Sequence, residues 1–106
     1  MNNISKWHAS IKDAMKVRKE EGRLSSLILE YKNMQVRYYS PKNNDIQTPH
    51  QKDEVYVIAK GSGTFVKGDE EKYFRTGDVI FVPKTEYHYF KNFTDDFATW
   101  VIFYRL

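Results

Sequence analysis

A chain of 106 residues has room for one domain with a core of its own, and its lack of cysteine excludes disulfide frameworks, thiolate metal sites and cysteine nucleophiles. No stretch approaches the ~18 apolar residues of a membrane span, and Met1 to Ser10 lacks the apolar centre of a signal peptide, so a soluble, cytoplasmic protein is expected. The formal charge of +3 is carried by residues 1–24, where six Lys and Arg face three Asp and Glu, while the remainder balances at eleven of each. One short basic segment is too little for a groove-reading element, so no nucleic-acid partner is expected. The glycosylation patterns Asn3-Ile4-Ser5 and Asn92-Phe93-Thr94 are read as chance matches in a chain without a secretion signal.

In chain order, Trp7, Ile11, Ala14, Met15 and Arg18 fall on one face of a helix, with Lys6, Lys12, Asp13, Lys16 and Lys19 between them and Gly22 as a stop. The expectation is an N-terminal amphipathic helix over residues 1–22, packed on the outside of a sheet or against a partner subunit, with His8 exposed or capping. Residues 23–106 form the main domain. Leu24 to Tyr31 and Met34 to Tyr39 read as strands around a Lys32-Asn33 turn, and Ser40 to Asp45 as a loop. Further strands are expected over Val55 to Ala59, Thr64 to Lys67, Glu71 to Arg75, Asp78 to Val82, Glu86 to Lys91 and Thr99 to Tyr104. Gly61-Ser62-Gly63 lacks the Lys-Ser/Thr pair of a phosphate loop and reads as a tight turn. Many short strands after one helix predict an all-β barrel or sandwich.

Two stretches carry chemistry. In Thr48 to Gly63, His50 stands four residues before Glu54, which opens an apolar strand. The period of two sends Glu54, Tyr56 and Ile58 to one face and Val55, Val57 and Ala59 to the other. An ionised carboxylate in the interior is costly unless paired or coordinated, and a cation shared with His50 resolves the conflict. In Gly77 to Asn92, the same alternation puts His88, Phe90 and Asn92 in one row. A histidine in such a row is either hydrogen-bonded in the core or bound to a metal.

These residues resemble the cupin family. Its first motif, two histidines one residue apart, then a glutamate and a glycine, falls on Thr48, His50, Glu54 and Gly61. Its second falls on Gly77, Pro83, Thr85, His88 and Asn92. The sequence departs from the pattern at Thr48 in place of a histidine, Thr85 in place of a glycine, and Lys42 where a further glycine is expected. The resemblance implies a double-stranded β-helix (jelly-roll) barrel, often dimeric, with His50, Glu54 and His88 as metal ligands, and it leaves Thr48 as a fourth donor or a hydroxyl behind the ligands. Two imidazoles and a carboxylate leave about three open positions on an octahedral ion, as in non-haem Fe(II) oxygenases, although Zn, Mn, Ni or Co also suit such donors. Thr48, Gln47, Tyr56 or a backbone carbonyl could hold the free ring nitrogens, with Phe90 and Asn92 lining the pocket.

Three functions fit: a dioxygenase-like enzyme on a small molecule, with a sugar or keto-acid isomerase as its variant; a non-catalytic barrel that binds or senses a small ligand; and a metal-free dimerisation scaffold. An inward cation such as Arg37 would favour anionic substrates. Trp7, Trp100, Phe103 and Tyr104 supply apolar surface for the expected homodimer.

Overall fold

The computed structural model describes residues 7–45 and 50–104. Gln47 and Thr48 lie outside the described residues. The single helix among the described residues, α1 (Ile11–Met15), is five residues long and much shorter than the apolar stripe predicts. Ser10 starts it: its hydroxyl accepts from the Asp13 amide at 3.0 Å, and the Asp13 carboxylate accepts from the Ser10 amide at 3.2 Å, a reciprocal capping box. At the other end the Val17 carbonyl is taken by the Ser26 hydroxyl at 3.1 Å, which ties the chain to the sheet. Only Ala14 of the stripe is buried; Trp7 is 83% and Met15 59% exposed. Among the described residues 7–22, the predicted helix is thus reduced to one capped turn, and residues 1–6 of the prediction lie outside the described residues.

Eight strands follow among the described residues: β1 (Ser26–Tyr31), β2 (Met34–Tyr39), β3 (Asp53–Lys60), β4 (Ser62–Lys67), β5 (Glu70–Arg75), β6 (Val79–Val82), β7 (His88–Lys91) and β8 (Ala98–Tyr104). They form two antiparallel sheets, a five-stranded one in the order β1-β2-β8-β3-β6 and a three-stranded one in the order β5-β4-β7. Each predicted strand is present, with ends shifted by a few residues. No helix among the described residues is long and apolar enough to cross a membrane.

Between the sheets lies an aromatic core of Tyr39, Tyr56, Phe65, Phe74, Phe90, Phe97 and Phe103, completed by Ile58, Val82 and Val101. Phe90 is its centre, with ring centroids 4.8 Å from Phe65 and Phe97, 4.9 Å from Tyr56 and 5.4 Å from Phe74. Each such ring contributes about 1.5–3 kcal/mol by leaving water, so the core holds the sheets face to face. A smaller cluster of Ala14, Ile28, Tyr38, Ala59 and Ala98 seats α1 on the outer face of the large sheet.

Two backbone features fix the connections. Gly61 has φ +85°, and a Cβ there would stand 2.4 Å from Thr94 Oγ1 and 2.8 Å from Phe97 Cα, so only glycine fits between β3 and β4. Asn92 has φ +53° and is exposed, which corrects its placement in the inward row. The strand ends at Lys91, and a left-handed residue directly after it breaks the period of two.

Candidate metal centre

His50 sits just before β3, Glu54 is the second residue of β3, and His88 is the first residue of β7. The two strands belong to different sheets, so the cluster bridges the barrel from wall to wall. Glu54 and His88 are each 1% exposed, while the His50 side chain is 33% exposed. Glu54 Oε1 lies 2.7 Å from His88 Nε2 and 3.8 Å from His50 Nε2, and one ligand atom from each of the three residues falls within 4.8 Å of the others. His50, Glu54 and His88 therefore converge as the sequence predicts.

The arrangement of His88 explains why a cation fits. Its Nδ1 lies 2.7 Å from the Glu86 carbonyl oxygen, which can only accept, so Nδ1 carries a proton. In the neutral ring the lone pair is then on Nε2, facing the Glu54 oxygen at 2.7 Å and the Tyr56 hydroxyl at 3.1 Å. Two acceptors at that distance repel unless a positive charge stands between them. Although close, the His88 ring is not aimed as a donor, and neither buried oxygen of Glu54 receives a hydrogen bond among the described residues. Either a second proton on His88 or a metal ion resolves the contact. Bonds of about 2.0–2.2 Å put neighbouring ligand atoms roughly 3–3.4 Å apart on an octahedral or tetrahedral ion, so small side-chain shifts suffice.

The electrostatics agree. Burial disfavours the charge on His88, but the neighbouring Glu54 carboxylate and the Glu86 carbonyl favour it and outweigh burial, and the pKa rises above the ordinary histidine value. At His50 burial dominates over the attraction of Glu54, and the pKa falls, which keeps its ring neutral and able to ligate.

The backbone holds these positions firmly. The Thr85 amide donates to the His50 carbonyl at 2.7 Å, and the Lys84 amide to Asp53 Oδ1 at 2.9 Å, joining the β6–β7 connection to the start of β3. Asp45, which the sequence reading passed over as a loop residue, accepts from the Tyr39 hydroxyl and, through Oδ2, from the Phe90 amide at 2.8 Å. It anchors the chain before His50 to the strand that carries His88. The Tyr39 phenol is pushed well above its usual range by burial and by this carboxylate. An aspartate closing a loop of proline and asparagine breakers was the available signal.

Of the other predicted residues, Tyr56 is fully buried beside His88 and Phe90 packs beneath, whereas Asn92 faces solvent. Arg37 does point inward, opposite Val101, but its guanidinium is taken by Ser25, Gln35 and Glu20, the last at 2.8 Å. Phe103 also turns inward, its ring 5.3 Å from that of His50, and so leaves the outer apolar surface.

Fold and site together define a class: small two-sheeted β-barrels with a two-histidine, one-carboxylate cluster between the sheets. The chain belongs to the cupin family, whose domain model (Cupin_2, Cupin domain) matches residues 38–104. It is 32% identical over 77 residues to an uncharacterised protein of Streptomyces coelicolor, covering 71% of this chain and 73% of that one. Among solved structures, it resembles an uncharacterised conserved protein with a double-stranded β-helix domain from Klebsiella pneumoniae, with TM-score 0.72, 17% identity and coverage of 94% and 90%. A cupin-2 domain-containing protein from Shewanella frigidimarina gives TM-score 0.69 at 17% identity, covering 92% and 94%. A predicted oxalate decarboxylase from Thermotoga maritima gives TM-score 0.60 at 18% identity, covering 77% and 79%. At these identities the structural likeness establishes the double-stranded β-helix fold alone.

Proposed function

We propose that this cupin holds one divalent metal ion through His50, Glu54 and His88 and acts on a small molecule, in the manner of a mononuclear non-haem oxygenase. The observation that carries this reading is the buried Glu54 carboxylate, without a donor on either oxygen among the described residues and 2.7 Å from a ring nitrogen whose lone pair faces it. Such an ion, with about three positions left open, would supply activation of a small molecule and dioxygen together.

The chain's own part is to position and to exclude. Glu86 fixes the His88 ring so that Nε2 faces Glu54, and the Tyr56 hydroxyl stands 3.1 Å from the same nitrogen. Phe65, Phe90 and Phe103 keep water from the buried side of the cluster. The isomerase variant is less well supported, because it needs a separate acid and base, and the neighbouring carboxylate of Asp45 is engaged by Tyr39 and Phe90. That same shortage supports a second reading, a non-catalytic barrel that binds or senses a ligand.

Elemental analysis of protein purified without added metal, beside His88→Ala, tests the first reading. Near-stoichiometric metal that is lost in the variant supports it, and absence of metal from both overturns it. An oxygen-uptake screen over small organic acids and diols then separates catalyst from binder. We further infer a homodimer through the outer face of the large sheet, where Val79, Phe81 and Tyr104 are exposed beside Val55, Val57 and Ile102. Light scattering that gives twice the chain mass supports it, and a monomer at micromolar concentration overturns it.

A further inference from the structure

The two sheets end on free edges, β5 in one and β6 in the other, and between them a cleft of about 330 Å³ opens into the barrel. Its inner wall is Phe65, Phe74 and Ile80. Phe65 stands with its ring 5.7 Å from Tyr56 and 6.0 Å from His88, and Ile80 is paired with Tyr56 across β3 and β6. One layer of side chains therefore separates the cleft from the candidate metal centre.

Strand register places charge on this apolar wall. Lys67 is opposite His88 across β4 and β7, and Lys72 is opposite Phe65 across β4 and β5. Directly opposed residues share a face, so both lysines lie in the inward row with Phe65 and His88, and both line the cleft. Lys67 is partly buried, and neither lysine forms an ion pair among the described residues, although Glu70 is opposite Lys67 in register. A lysine facing the interior next to a candidate metal ligand is a cation that the fold does not need for packing. Alternation along Thr64 to Lys67 was the available signal for it.

We propose that this cleft is a ligand pocket beside the metal centre, walled off from it by Phe65, and selects small carboxylates with an apolar body. The ammonium of Lys67 anchors the carboxylate, and Phe65, Phe74 and Ile80 receive the body. The volume is at the small end of the ~300–1,000 Å³ range of ligand pockets, which suits one ring or a short chain. Glu70 and Asp78 on the rim balance the two lysines, so the cleft carries no net charge and a single carboxylate seated at Lys67 fits better than a phosphate dianion. What becomes of the bound molecule rests on the metal-centre reading above; its binding does not.

Calorimetric titration of the full chain, as purified and again after EDTA, with 3-phenylpropionate and with its primary amide tests the proposal. The acid is expected to bind at least about tenfold more tightly than the amide in both samples. Lys67→Gln should weaken the acid about tenfold and leave the amide unchanged, while Lys60→Gln on the outer surface changes neither. Equal affinity for acid and amide, or an unchanged Lys67→Gln, overturns the proposal. Metal in the purified protein without this discrimination overturns the cleft alone. Lys67-dependent discrimination in protein that holds no metal supports the cleft and removes the metal reading.

Discussion

Replacing Glu54 by glutamine should give a variant more stable than the wild type without metal and less stable than the wild type with it. The change keeps shape and volume but removes the charge, and it puts an amide donor where an acceptor now stands 2.7 Å from His88 Nε2. A buried acceptor without a partner costs about 1–3 kcal/mol, and a protonated His88 recovers part of this in the wild type, so the metal-free variant should gain about 1–2 kcal/mol. With an unfolding entropy of about 2.1 cal/mol/K per residue over 106 residues, each kcal/mol moves the melting midpoint by about 4–5 °C. Glu54→Gln should therefore melt about 4–9 °C above the wild type in EDTA. Mn(II) at one hundred times its dissociation constant should stabilise the wild type by about 2.7 kcal/mol, or roughly 12 °C, and leave the variant nearly unmoved. Differential scanning calorimetry in both buffers reads the crossing. A metal-free variant that melts below the wild type, or an ion that shifts both equally, refutes the reasoning.

The remaining predictions concern the frame that holds the site. Phe97→Ala removes a fully buried ring packed on Phe74, Phe90 and Phe93, and should cost about 3–5 kcal/mol in urea unfolding. Gly61→Ala should cost more than about 2 kcal/mol, because its Cβ would meet the backbone of Phe97, whereas Gly77→Ala, with φ +94° but open space, should cost about 1 kcal/mol. Glu20 has its pKa lowered by its own backbone amide and by Arg37, so its contribution is complete above pH 4.5 and is lost as pH falls through the lower folded value. Glu20→Gln should accordingly flatten the acid limb of the stability profile below pH 4.5, read by urea midpoints from pH 6 to 3.

Much of the site was legible because strands alternate strictly. Once Val55 to Ala59 reads as a strand, Glu54, Tyr56 and Ile58 must share a face, and the burial of all three follows. The same rule finds His88 and Phe90, and fails at Asn92 because the strand stops one residue earlier with a left-handed turn. The helix was overread for a different reason. A periodic stripe says which residues could share a face, but a cap at Ser10 and the claim of Ser26 on the Val17 carbonyl decide how many do. Arg37 shows the remaining limit: alternation gives its direction, while the capture of its guanidinium by Glu20, seventeen residues away in the chain, depends on how the segment before β1 folds over it.

The central claim is that three side chains share one cation. A crystal of the protein grown with Mn(II), measured for anomalous scattering, tests it most directly. A single strong peak about 2.0–2.3 Å from His50 Nε2, His88 Nε2 and a Glu54 oxygen is the predicted result. A map with no peak between those atoms, with the Glu54 carboxylate still in contact with His88 alone, would contradict it.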